Sequence, residues 1–323
     1  MPRADYRLPI GSAGCRLLIV LVLLAAPAGG QPRELFDFHS SFWMNLHTYL
    51  YALARANAPI VEPLPDSASA AERDRWTGAV AQYRERFGKR SLLFDSELAR
   101  ITYEISKAES RPDLSGVPID VEMRQLLESV ASVYRTHRWP AHDAENRRFI
   151  NSLQPLLATH GQAIATRLAK TFDRPWPVPP PRVDIVHEAG PPGNAHTVSN
   201  PLHVTIAAAD PRYSELDRLE LVFHETSHHW DEILMKEVDA AAGRLGVRPN
   251  RNLWHAILFF NTGTITNEVL RAAGVGDYVQ IMDADKVFTA LRPLVAKHWP
   301  SFLSGEISRE EAITRMVKEL AKQ

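Results

Sequence analysis

Apolar side chains recur along this chain mostly at steps of three and four, the spacing of helices that bury one face. Leu35, Phe38, Phe42, Leu46, Tyr49 and Leu53 form the first stripe, with Trp43, Leu50 and Tyr51 beside it. A helix that is apolar on more than one side belongs in a core. His39 and His47 share this segment and are expected to be histidines satisfied by hydrogen bonds within that core. Further stripes run through Phe94, Leu98, Ile101 and Ile105, through Met123, Leu126, Val130 and Val133, and from His142 to Phe172 by way of Phe149, Leu153, Leu157, Ile164 and Leu168. Arg111-Pro112-Asp113 and Trp139-Pro140 interrupt them, because proline disfavours helix in the residue before it.

The pattern changes at Arg174 to Pro181 (RPWPVPPP), which suits neither a helix nor a central strand and predicts a stiff extended connector. It is the best candidate boundary in the chain. Val183 to Val186 and Leu202 to Ile206 are short and β-like, the second alternating Leu202, Val204, Ile206, and GPPGNAHTVSNP between them is expected to be a loop. Helical spacing returns from Ser214, breaks at Val247 to Asn250 (VRPN), resumes from about Asn252 to Ala273 and closes with two more segments. The last opens on Ser308 and Glu311, the spacing of a capping box. The expected fold is mainly α with a small β element (α+β), arranged as a helical N-terminal region over 29–174 and a second region over 182–323.

Charge narrows the partners. A net charge of -1 and a pI near 6.9 leave no electrostatic footprint for nucleic acid or an anionic membrane. At the N-terminus, Arg3, Arg7 and Arg16 precede the apolar run Leu17 to Ala26 and an Ala-Pro-Ala exit, the build of a secretory signal peptide over residues 1–28. The run is too short for a mature transmembrane helix, which takes about 20 residues; an uncleaved anchor is the second reading. Cys15, the only cysteine, precedes the run, so it is not placed for lipidation and would leave with the signal. The mature chain is then expected to be exported, periplasmic or secreted, with no disulfide and held by its hydrophobic core.

Chemistry concentrates in residues 223–230, FHETSHHW. His224-Glu225-Thr226-Ser227-His228 matches H-E-x-x-H. On a helix, four residues advance one turn plus about 40°, so the imidazoles of His224 and His228 leave the same face and can bind one tetrahedral zinc ion. Glu225, about 100° round, stays off the metal but within reach of a water bound to it. Zinc acidifies that water and polarises a carbonyl, while the carboxylate takes the proton and delivers it to the leaving group. A histidine-rich amphipathic helix with no metal is the bland alternative. It would leave two histidines and a glutamate buried among Leu219, Leu221, Val222 and Phe223 with no partner, at a cost that a metal offsets.

The stretch resembles the active-site helix of the zincin metallopeptidases. The resemblance covers the second half of the chain and is specific at the five-residue motif. It implies His224 and His228 as zinc ligands, Glu225 as general base, and a strand along the cleft edge that pairs with an extended peptide substrate; Leu202 to Ile206 occupies the place of that strand. A catalytic zinc needs a third protein ligand and one open position. The metzincin solution is absent, since His228-His229-Trp230-Asp231 lacks the downstream Gly and His. Glu268, in Thr266-Asn267-Glu268, resembles the glutamate ligand of gluzincins, although Ala272 stands where an Asp is expected and the spacing is long. His255, bounded by Leu253, Trp254, Ile257 and Leu258, is the other candidate, and its apolar surroundings favour it slightly. On one straight helix the two are about 220° and nearly 20 Å apart, so only one can bind unless the helix breaks near Gly263.

Other residues have weaker claims. His229 faces away from the pair, Asp231 or Glu232 could accept a ligand's free ring N–H, His187, His196 and His203 flank the expected cleft strand, and Tyr278 could stabilise an oxyanion. The sequence therefore predicts an exported zinc-dependent metallopeptidase. A non-catalytic zinc-binding helical protein of the cell envelope is the alternative, and a degenerate peptidase fold used as a binding module is a third reading.

Overall fold

The computed structural model describes residues 34–55, 63–109, 111–190 and 195–322, and the expected signal peptide lies outside them. The first four helices are α1 (Phe42–Arg55), α2 (Ala70–Phe87), α3 (Ser96–Ser106) and α4 (Val121–His137). Their apolar stripes meet in one core, where Leu46, Tyr83, Phe87, Ile101, Leu127 and Val130 are all buried. The helix starts are written locally. Asp95 and Asp120 each accept a hydrogen bond from the backbone N–H three residues on, and Ser69 forms a reciprocal capping box with Glu72.

Two expected stripes run past their helices. Leu35 and Phe38 do not belong to α1, because Asp37–His39 forms a short strand, β1, and α1 begins only at Phe42. Phe94 is 83% exposed and precedes the Asp95 cap, so it lies off the face that Leu98, Ile101 and Ile105 bury. His47 is a satisfied core histidine, its ring held between the Tyr83 hydroxyl at 3.0 Å and the Thr102 hydroxyl at 2.9 Å. His39 sits instead on β1, beside Asp37 and Glu109.

The helix α5 (Trp139–Leu156) starts with Pro140 in its first turn, where a missing N–H costs nothing, and passes through a π-helical turn (Leu157–Gly161) into α6 (Gln162–Phe172). Pro155, which has no N–H to donate, immediately precedes that turn. Strands β2 (Arg182–Val186), β3 (Ala195–Ser199) and β4 (Leu202–Ala207) join β1 in one sheet ordered β1-β2-β4-β3. β1, β2 and β4 are parallel, and β3 runs antiparallel to β4 with Thr197 opposite Val204. β3 lies inside the segment expected to be a loop. The expected cleft strand is also displaced: β4 is paired on both sides, and the edges of the sheet are β1 and β3.

Alternation along the strands decides what each sheet face meets. Val183, Ile185, Val204 and Ile206 enter a core shared with α5, α6 and the C-terminal helices α7 (Glu215–Ser227), α8 (Asp231–Leu245), α9 (Leu253–Ala272), α11 (Arg292–Leu303) and α12 (Arg309–Leu320). Between α9 and α11 lies the short α10 (Ile281–Ala284). Val186 and Ala207 pack with Met44 of α1. Asp184, two residues before Val186 on β2, is wholly buried, pairs with Arg182 at 2.6 Å and lies 2.8 Å from the His203 ring. Packing does not divide at the proline-rich connector. Leu35, Phe149, Leu168 and Trp176 share one core with the second half, β1 pairs with β2 across the connector, and Glu34–Gln323 is a single compact unit. No helix among the described residues is long and apolar enough to cross a membrane.

Three buried histidines outside the motif give the fold an acid limit. Burial holds His47 and His142 at about 3 and His196 at about 4, against 6.5 for a free imidazole. Below pH 6.5 the unfolded chain takes up protons that the folded chain refuses, so stability falls as the pH is lowered, by about 1.4 kcal/mol per pH unit for each histidine until its folded pKa is reached. Denaturant melts from pH 7 to pH 5 should show this loss, and His47→Gln should reduce its slope.

Candidate metal centre

The motif helix α7 is anchored at both ends. At its start Ser214 accepts from the Asp217 N–H and donates from its own N–H to the Asp217 carboxylate at 2.8 Å, a capping box that fixes where the helix begins. Its apolar face carries Leu219, Val222 and Phe223, and Phe223 packs edge-on against Phe36 with ring centroids 5.1 Å apart. One turn before the motif, the buried Glu220 accepts from the Tyr278 hydroxyl at 2.5 Å and from the Ile281 N–H at 3.2 Å, tying α7 to the segment that leads into α10. Burial raises the Glu220 carboxyl to about 8. α9 is fixed separately, through the Trp299 indole N–H donating to Asn261 at 3.1 Å.

These anchors set α7 beside the start of α9 and bring three imidazoles together. One nitrogen each from His224, His228 and His255 lies within 4.8 Å of the others. The Nε2 atoms of His224 and His255 are 3.4 Å apart. Two ligands on a tetrahedral zinc, each at about 2.0–2.1 Å, stand about 3.3–3.4 Å from each other, so the spacing fits a shared ion. A direct hydrogen bond between the same two nitrogens would be long, since such bonds cluster near about 2.9–3.0 Å. His228 follows the last residue of α7 and opens a 3-10 turn (His228–Trp230), and its ring centroid lies 5.1 Å from that of His224 and 5.0 Å from that of His255.

The surroundings keep these rings neutral, the form that ligates. Burial, reinforced by the neighbouring imidazoles, holds His224 far below the ordinary range and His228 at about 3; burial alone brings His255 to about 4. Aromatic side chains supply much of that burial. Phe259 stacks on His224 with centroids 3.7 Å apart, Trp254 stacks on His255 at 4.9 Å, and Phe288 meets His255 edge-on at 5.1 Å. The Nδ1 of His224 is buried with no hydrogen-bond partner among the described residues.

Glu225 is 6% exposed and directed to the sheet. The Thr197 hydroxyl on β3 stands 2.8 Å from its carboxylate and 2.8 Å from its backbone carbonyl. Burial raises the Glu225 carboxyl to about 7, with Thr197 acting in the opposite direction. This is the range in which a carboxylate exchanges protons readily near neutral pH.

Of the two candidates for the third position, the structure brings His255 to the pair and sends Glu268 elsewhere. α9 runs unbroken through Gly263, and Glu268 emerges half-exposed in an ion pair with Arg167. The glutamate ligand implied by the gluzincin resemblance is therefore not in place, because an unbroken helix puts residues 255 and 268 on different sides. Glu268→Ala should leave bound metal unchanged and cost at most about 1 kcal/mol of stability, as expected for a solvent-screened pair; metal analysis and a thermal melt check both.

The remaining predicted residues scatter. His229 is exposed against Trp230, Glu232 pairs outward with Lys236 at 2.7 Å, and Asp231 lies 3.9 Å from His228 Nδ1, beyond a direct bond. Tyr278 donates its hydroxyl to the buried Glu220 at 2.5 Å. His203 is buried on Asp184, His196 is buried on β3, and His187 stacks on His142 at 3.7 Å while bonding Glu145 at 2.7 Å. Thr197 was hidden within an apparent loop. Tyr213, just before α7, has its hydroxyl pushed up to about 12 by burial, with Arg212 acting against the shift and Asp285, Asp210 and Glu225 adding to it. No family model, no curated protein and no solved structure matches the chain.

Proposed function

We propose that the chain is an exported zinc-dependent hydrolase of the zincin type that cleaves peptide bonds, with His224, His228 and His255 as metal ligands and Glu225 as general base. The observation that carries this reading is the convergence of three imidazoles, His224 from α7, His228 from the turn that follows it and His255 from α9, with the buried Glu225 adjacent in the chain to His224. Zinc held by the three rings would supply Lewis acidity toward a carbonyl and toward a water molecule, with a fourth position left open. Glu225 takes a proton at its carboxylate and returns it to the leaving amine, a role suited to a group that titrates near 7. Thr197 fixes the rotamer of that carboxylate. β3 favours a peptide substrate, since it pairs on one side only among the described residues and an extended main chain can add to such an edge.

A second reading, a zinc site that stabilises a helical cell-envelope protein without turnover, is favoured by the tight aromatic packing on His224 and His255. Melting the protein with and without a chelator separates the two. A structural site should unfold when stripped, whereas a hydrolytic one should keep most of its stability and lose cleavage of a mixed peptide pool followed by mass spectrometry.

A further inference from the structure

A cleft of about 290 Å³ opens in the helical half, where the N-terminus of α1 meets α4 and α5. Ser41 precedes the first residue of α1, and its carbonyl accepts the Asn45 N–H at 3.0 Å. Ser41 lines the cleft, and its hydroxyl is buried with no hydrogen-bond partner among the described residues. The first N–H groups of a helix have no partner within the helix and carry the positive end of its dipole. α1 is 14 residues long, so this dipole is fully developed.

The charges around the cleft do not cancel. Of its acids, Glu109 is taken by Arg182 at 3.0 Å and His39 at 3.3 Å, and Asp143 by Arg147 at 2.8 Å and the Ser40 hydroxyl at 2.8 Å. That leaves two guanidinium groups. Arg111 donates to the Ser115 carbonyl at 3.4 Å and feels the Asp113 charge only from beyond ion-pair range, and Arg135 lies 3.8 Å over the Phe42 ring; neither has a carboxylate in ion-pair range among the described residues. Phe42 and Trp139, edge to face at 5.5 Å, add an apolar wall.

We propose that this cleft binds a small organic oxyanion, a phosphate or carboxylate group, with Arg135 and Arg111 as the cationic fork, the Ser41 hydroxyl and the α1 N-terminus as neutral donors, and the Phe42 and Trp139 rings against the organic part. Forked guanidinium groups match the oxygens of either anion, and a helix N-terminus aims its N–H groups at them. The volume is near the lower end for small-ligand sites, enough for an anion with one ring attached.

Calorimetric titration of the full chain with inorganic phosphate, phenyl phosphate and benzoate tests this, each with zinc loaded and with zinc stripped so that anion binding at the metal is separated. The expected result is saturable, zinc-independent binding that is tighter for an aromatic anion than for inorganic phosphate. Whether phenyl phosphate or benzoate binds better tells which oxyanion the cleft takes. Arg135→Ala should weaken binding about tenfold or more, Ser41→Ala less, and Arg135→Lys should retain only part of the affinity because the fork is gone. Arg135 is exposed, so its variants should fold, and matched melting curves confirm that they have. Absence of saturable binding by all three probes overturns the proposal. So does an affinity unchanged in folded Arg135→Ala, or binding that vanishes when zinc is stripped.

Discussion

Glu225→Gln is expected to lower peptide hydrolysis by about 10²–10⁴-fold while leaving bound zinc unchanged, the range that general acid-base catalysis contributes. Glutamine keeps the shape of the side chain and can still accept from the Thr197 hydroxyl, so the contact to β3 at 2.8 Å survives. What it loses is the ability to take up a proton. The carboxyl it replaces is held at about 7 by burial, so at neutral pH it stands near the midpoint between accepting and releasing one. The variant should be at least as stable as the parent above pH 7. Burial raises the folded pKa above the unfolded 4.5, so the carboxyl favours folding fully below 4.5 and loses that contribution as the pH rises through 7. Steady-state cleavage, zinc content and melting temperature measured on one preparation separate these effects. Unchanged cleavage would show that another group handles the proton.

The second large effect is at the metal. His255→Ala should weaken zinc by about 100-fold or more, since even residues that only support a ligand account for about 10–100-fold. The same loss is expected for His224→Ala and His228→Ala, because all three nitrogens bound one small volume. His255 is the most informative of the three. It lies on a different helix from the motif, half-buried between Trp254 and Phe288, so its removal leaves α7 intact and the fold largely undisturbed. Competition with a chromophoric chelator measures the affinity. Retention of parental affinity would mean that the motif histidines find their third ligand elsewhere.

What was legible in the sequence follows from the range of each signal. The helical stripes and the motif are local, and α4, α7 and α9 appear where their spacing places them. The stripes misled where a helical interval continued by chance past a real stop. Leu35 and Phe38 keep the period of α1 but belong to the approach to β1 and to β1 itself, because a parallel pairing with residues 182–184 overrides a preference carried by so few residues. β3 was hidden because its five residues hold only two β-branched side chains between glycine, proline and asparagine; its register comes from β4, not from its own pattern. Thr197 was invisible for the same reason. The choice between His255 and Glu268 was open in the sequence because both lie on one helix, and only the packing of α9 against α7 decides which side faces the motif. Tyr278 has the chemistry of an oxyanion donor, yet a buried Glu220 claims it. The proline-rich connector looks like a boundary by composition, but β1 and Leu35 cross it to complete the sheet and core of the second half.

Zinc K-edge absorption on the purified, zinc-loaded protein tests the central claim most directly. It should show one zinc per chain with three imidazole nitrogens at about 2.0–2.1 Å and one lighter oxygen ligand, and the His255→Ala protein should lose one of those nitrogens. A preparation that retains no stoichiometric zinc, or a zinc spectrum that needs fewer than three imidazoles and is unchanged in His255→Ala, would contradict it.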